Sequence, residues 1–321
     1  MSLTSNIKGK TAVGQFLVKS VKRPDISKGT FGRPIISHNE KRWSLIGTAF
    51  DYLVRMSLSS QNGDRFDPNI AEKALARAKM RFLDGQRDGS HQEEFTKICS
   101  NVNESIQKKD IRSLASYSLP LARLDTFFRT SYWDEDWAFK KTDRVDVEEL
   151  CHLHKLWINS FVIPKGEIQY NPEFESSYLV GGADADLIVG RTIIDWKVVN
   201  NPRNGLLQYL AQMIGYSILS EIDGKPIENL MLYFARHGEC LSLSIEEVMS
   251  IPMVEAISDF KDLTASRVKP KLRMNADSPP DSRGEWLPIT RRRRVEPRQK
   301  IELNLPDEKR CVAILRKQSP T

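Results

Sequence analysis

The 321-residue chain carries 48 Lys+Arg against 42 Asp+Glu, a formal net charge of +6, with 40% hydrophobic and 28% charged residues. That length and apolar content support a sizeable buried core, in one large unit or two small ones, and exclude a wholly disordered chain. No run of about 18 apolar residues is present, which excludes a membrane-spanning helix.

The opening residues, MSLTSNIKGKTAVGQFLVK, contain no apolar signal core, so the expected location is the cytoplasm. Cys99, Cys151, Cys240 and Cys311 lie far apart and form no CxxC pair, as suits a reducing compartment.

The first strong element covers residues 43–58, where Ile46, Phe50, Leu53 and Met56 recur at helical spacing. A second helix is expected to start at Asp67-Pro68, with Asp as cap and Pro in the first turn, and to run through Ile70, Ala74, Ala78 and Phe82. Helical patterns follow at 92–107, 111–129 and 145–159. No internal repeat interrupts them. Residues 1–60 therefore read as N-terminal helices joining a core, and 61–160 as a helical insertion suited to contacts with protein partners. Tyr132-Trp133-Asp134-Glu135-Asp136-Trp137 reads as a helix-end packing cluster. His152 and His154, beside Glu148 and Glu149, hint at a transition metal, but side chains two apart on a helix point to different sides.

Beyond residue 160 the period changes. Residues 161–166 and 177–199 are rich in alternating or branched side chains. Residues 183–189 and 192–199 read as two strands joined by a Gly190-Arg191 turn. Asn201-Pro202-Arg203-Asn204-Gly205 is a loop. Residues 206–221 are helical, with Leu206, Leu207, Leu210, Met213, Ile214 and Ile218 apolar. Residues 229–235 and 241–244 read as strands around a Gly238 turn, with His237 a turn residue. The order gives an α/β class with a central mixed sheet flanked by helices, its core at 161–264.

Residues 265–321 hold 15 Lys/Arg and 7 Asp/Glu, a net +8, together with seven prolines and the run Arg291-Arg292-Arg293-Arg294. This is a basic, Pro-rich tail. Its Arg cluster suits sequence-independent contact with a polyanion.

The chemistry concentrates in Gly181-Gly182-Ala183-Asp184-Ala185-Asp186, followed by Ile193-Ile194-Asp195-Trp196-Lys197. Alternate strand residues share a face. Asp195 therefore shares a face with Lys197, and Asp184 with Asp186. Around a two-residue turn Asp184 falls opposite Lys197 and Asp186 opposite Asp195. Such a patch can hold a hard divalent cation through oxygen ligands, including the Trp196 carbonyl, with Lys197 holding or deprotonating a water beside it. The same pattern on a solvent-facing strand pair would be no more than cross-strand ion pairing.

This constellation resembles the PD-(D/E)xK nuclease superfamily in its RecB-like branch. The resemblance rests on the GGADAD and IIDWK stretches and on the Gln212-Met213-Ile214-Gly215-Tyr216 helix motif. It covers residues 43–60 and 161–245. It implies a restriction-endonuclease-like core, with Asp184 and Asp195 as metal ligands and Lys197 as catalytic lysine. Asp186 competes for the first ligand position. Gln212 and Tyr216, in line with Gln208, would position backbone or lysine, and Asp51 would be an extra ligand or water-positioning group. The implied cofactor is Mg²⁺ or Mn²⁺. With only Cys240 and Cys311 after the core, no iron–sulfur cluster is expected. The implied activity is phosphodiester hydrolysis in nucleic acid, DNA foremost, in a bacterial or phage DNA-processing or defence system. The alternative is a non-catalytic nucleic-acid-binding or assembly protein with the same fold. No P-loop and no GxSxG is present.

Overall fold

The computed structural model describes residues 2–24, 31–36, 43–63, 66, 68, 71–73, 90–130 and 141–265. Two short helices come first, α1 (Leu3–Lys8) and α2 (Ala12–Lys19), each started by a hydroxyl cap, from Ser2 and Thr11. Four long helices follow: α3 (Trp43–Asn62), α4 (Ser90–Lys108), α5 (Ile111–Thr130) and α6 (Arg144–Ser160). Then come β1 (Ile168–Tyr170), β2 (Leu187–Val189), β3 (Thr192–Lys197), α7 (Leu206–Ile222), β4 (Asn229–Phe234), β5 (Glu239–Ser244), α8 (Ile245–Val248) and α9 (Met253–Ala265).

The five strands form one mixed sheet in the order β1-β2-β3-β4-β5. All neighbours are antiparallel except β3 and β4, which are parallel. A parallel pair needs a long crossover, and α7 supplies it. The chain is thus α/β, a five-stranded mixed sheet flanked by helices.

Both faces of the sheet are buried, which explains why β3 reads Thr-Ile-Ile-Asp-Trp-Lys rather than alternating apolar and polar. One face, with Leu187, Val189, Ile194, Trp196, Met231 and Tyr233, packs on the layer of α3 to α6. The other, with Ile188, Ile193, Leu230, Leu232 and Leu241, packs on α1, α2, α7 and α9. α3 is buried nearly all round: Phe50, Tyr52, Leu53, Val54 and Met56 are each 0% exposed. Its neighbours are α4, α5, α6 and β3.

Residues 61–160 therefore do not stand apart as an appendage. Their described helices share a single apolar cluster with α3 and one sheet face. The helix expected from Asp67 is described only at 71–73, which are helical. The strand expected at 183–189 shortens to Leu187–Val189, and residues 161–166, though rich in alternating or branched side chains, join no ladder. Residues 175–180 form a 3₁₀ turn instead. The Tyr132–Trp137 cluster and the tail beyond Ala265 lie outside the described residues. Among the described residues no helix is long and apolar enough to cross a membrane.

Candidate active site

The β2–β3 hairpin takes the register that the sequence spacing implies. Leu187 pairs with Ile194 and Val189 with Thr192, around Gly190 at φ +57°. That is the left-handed position a tight hairpin asks of its first loop residue. One step beyond the ladder, Asp186 falls opposite Asp195. The Asp186 Oδ2 accepts the Trp196 backbone N–H at 3.0 Å. Asp184 lies two residues further out, in a backbone β-bridge with Glu173.

Asp195 and Lys197 share the face of Ile193, under α7. Asp195 is 2% exposed, and its Oδ2 is ion-paired with Lys197 Nζ at 2.5 Å. From α7, Gln212 Oε1 accepts from Lys197 Nζ at 3.3 Å. The same amide donates to Tyr216 OH at 2.7 Å and to Thr4 Oγ1 at 2.9 Å. Gln212 and Tyr216 are thus on one stripe of α7, as their spacing implies. Gln208 is exposed at the surface.

The electrostatics follow from burial and crowding. Asp186 is pushed well above the ordinary carboxylate range, first by burial, then by the carboxylates of Asp195 and Asp51. Asp195 is raised by burial as well, although Lys197 opposes this. Burial acts to lower Lys197, but Asp195 and Asp186 outweigh it, so its ammonium stays protonated through neutral pH. In this arrangement Lys197 is a cation rather than a base. Tyr216 is held well above its usual value by burial and by Asp195, Asp184 and Asp186, so its phenol stays neutral.

Asp51, on α3, acts on Asp186 and Asp195, so the helix before the sheet does bring a carboxylate to the site. It is also held by Arg55, at 2.6 Å to Nη2 and 3.3 Å to Nε. Trp196 contributes backbone only; its ring packs among Trp157, Phe161 and Tyr233 on the opposite face. A strand residue points its N–H and C=O the same way. The Trp196 N–H faces Asp186, while the Lys197 carbonyl accepts the N–H of Ala235, the residue just past β4. The Trp196 carbonyl therefore lies on the carboxylate side.

The donor set is all oxygen, and the two carboxylates, Asp195 buried and Asp186 half-buried, face each other with only Asp195 ion-paired to Lys197. Both features fit a hard divalent cation. Among the described residues, however, no group of three or more His, Cys, Asp or Glu side chains is placed to hold a metal ion as it stands. The fit is thus one of two carboxylates, the buried Asp195 and the half-buried Asp186, with the Trp196 carbonyl beside them.

Other candidates resolve into structure. His154 is buried, with Nε2 at 2.8 Å from Ser57 Oγ, and burial lowers it to about 4. Glu149 is ion-paired with Arg236, away from His154. His237 is buried in the β4–β5 turn between the carbonyls of Gly32 at 3.0 Å and Asn200 at 3.2 Å. Arg291, Arg292, Arg293 and Arg294 lie outside the described residues.

Three contributors escape the sequence. Thr4 bonds Gln212, Arg55 engages Asp51, and the Tyr209 ring lies 5.1 Å from Lys197 Nζ. Arg55 had a signal, four residues after Asp51 on a helix. So did Tyr209, three residues before Gln212. Thr4 had none, since its contact spans 208 residues. Comparison with known proteins finds no matching family model, no matching curated protein and no matching solved structure.

Proposed function

We propose that the chain is a Mg²⁺- or Mn²⁺-dependent nuclease of PD-(D/E)xK type that hydrolyses phosphodiester bonds, in DNA foremost. The observation that carries this reading is the buried Asp195–Lys197 pair on one strand, faced by Asp186 across the hairpin and held by Gln212 of the next helix. Carboxylates with raised proton affinity beside a fixed ammonium are a common mark of functional sites.

Asp186 and Asp195 would hold the cation, with the Trp196 carbonyl as a third oxygen. Asp184, the nearer match to the family spacing, would sit at the rim and Asp51 behind. The bound cation would lower the pKa of a water and offset charge on the phosphate. Lys197 presents a fixed positive charge to the developing anion. Gln212 holds the lysine from the far side, and Thr4 and Tyr216 fix the amide of Gln212. The basic tail would supply sequence-independent attraction to a polyanion.

The test is Mg²⁺-dependent cleavage of linear, nicked and circular DNA and of RNA by wild type, Asp195→Ala and Lys197→Ala. Cleavage lost in both variants supports the reading; equal activity in all three proteins sinks it. A second reading is a non-catalytic nucleic-acid-binding or assembly protein, in which Asp195 and Lys197 are no more than a buried ion pair. Calorimetry with Mn²⁺ separates them. The enzyme takes up the ion in an Asp186- and Asp195-dependent manner, and the scaffold does not.

A further inference from the structure

The Gly205–Tyr209 turn at the start of α7 has a geometry that the fold alone does not ask for. A Cβ on Gly205 would lie 2.3 Å from Tyr209 Cζ, 2.4 Å from its hydroxyl oxygen and 2.8 Å from Cε2. Any side chain at 205 would displace the ring. Gly205 has φ −120°, so backbone strain gives no reason for a glycine there; the reason is the space the ring occupies. Tyr209 N–H donates to the Gly205 carbonyl at 2.9 Å, which ties the ring's own backbone to the same residue.

With the ring laid back on Gly205, Lys197 Nζ comes 5.1 Å from its centroid, within range of a cation–π contact. Lys197 is then held on three sides. Asp195 ion-pairs with it at 2.5 Å, Gln212 accepts from it at 3.3 Å, and Tyr209 covers it. The Tyr209 hydroxyl is itself raised by burial, against the pull of Lys197, so the ring meets the ammonium as a neutral phenol. Tyr209, Gln212 and Tyr216 share one stripe of α7, at spacings of three and four.

We propose that Tyr209 is the positioning residue for Lys197: its ring, seated on Gly205, caps the ammonium and keeps it on Asp195. Tyr209 touches no reacting atom in this account and acts through the lysine. The inference rests on the proposed role of Lys197 for its functional meaning, but the placement of the ammonium can be tested without any activity.

The test is competitive acetylation of the full chain with acetic anhydride, read at Lys197 by peptide mass spectrometry from neutral to alkaline pH. Near-ultraviolet circular dichroism checks folding. Removing the ring uncovers the amine, so Tyr209→Leu should raise Lys197 labelling about threefold or more. Tyr209→Phe keeps the ring and should label like wild type. Gly205→Ala keeps Tyr209 but evicts its ring, and should label like Tyr209→Leu. In a cleavage assay the Leu and Ala variants should lose kcat more than KM.

Wild-type labelling in both Gly205→Ala and Tyr209→Leu overturns the proposal. Labelling raised as much in Tyr209→Phe as in Tyr209→Leu also overturns it, since the hydroxyl would then be responsible. If Tyr209→Leu fails to fold, Gly205→Ala against Tyr209→Phe decides. Wild-type protein that cleaves nothing would sink the nuclease reading and leave the labelling result standing.

Discussion

Two buried acid–base groups sit on opposite sides of the sheet, and they are built differently. On the α3–α6 side, Glu149 is ion-paired with Arg236, which also donates to the Ile36 carbonyl at 3.3 Å. Both side chains are nearly inaccessible, at 8% and 1% exposed. There a buried carboxylate is offset by a buried guanidinium. On the α7 side, the Lys197 ammonium acts on both Asp186 and Asp195, and a further carboxylate, Asp51 of α3, itself paired with Arg55, acts on both as well. A matched pair needs nothing further. A surplus of buried carboxylate costs folding energy unless protons or a cation offset it. The first group reads as a structural tie, and the second carries the marks of a site.

The largest expected effect falls on the matched pair. Glu149→Ala removes the carboxylate ion-paired with the buried Arg236 guanidinium and should cost about 3–5 kcal/mol in urea unfolding. A loss below about 1 kcal/mol would remove the contrast with the other face. Next comes Asp195→Ala, which should lower Mg²⁺-dependent cleavage by about 10²–10³-fold while leaving far-ultraviolet circular dichroism unchanged.

Asp186→Asn sharpens the comparison from the other direction. The amide oxygen can still accept the Trp196 N–H, but the charge is gone. A carboxyl raised in the folded state favours the fold while protonated. That advantage is full below the ordinary Asp value of 3.8 and is lost as pH rises through the folded value. Asp186→Asn should therefore unfold at higher temperature than wild type at pH 7. The difference should close on acidification, and also when Mn²⁺ is added to wild type alone. A lower midpoint for the variant at pH 7 would contradict crowding as the cause.

The smallest expected effect concerns His154, whose burial lowers it from 6.5 to about 4. A depressed histidine contributes stability above its unfolded value that is lost as pH falls between the two. His154→Gln should flatten the stability profile in that window, read by denaturant titrations at several pH values, and leave cleavage at pH 7 unchanged.

What could be read from sequence was what is local. The period-two pattern and Gly190 give the hairpin register, so the pairing of Asp186 with Asp195 follows from counting. The period of 206–221 gives α7 and places Gln212 with Tyr216. What could not be read depends on distant segments. Helices of 90–160 look like an insertion because nothing in their own pattern says which surface they cover; their apolar sides meet the sheet only after folding. Residues 161–166 are apolar enough for a strand, yet Phe161 buries its ring in the Trp157–Trp196–Tyr233 cluster without joining a ladder. The choice between Asp184 and Asp186 turned on motif spacing. In three dimensions it is Asp186 that reaches the Trp196 N–H.

The first turn of the chain has a practical bearing on any metal measurement. Leu3 donates its backbone N–H to the Gly182 carbonyl at 2.9 Å, its side chain is 1% exposed, and Thr4 bonds Gln212. A polyhistidine tag fused ahead of these residues would begin near Gln212, the amide that holds Lys197, and bring imidazoles that compete for any divalent ion added. It would also pull on the amide that steadies Lys197. Calorimetry and cleavage should be run with such a tag removed, and a shift in Mn²⁺ affinity on its removal would itself report how tightly the amino terminus is coupled to the carboxylates.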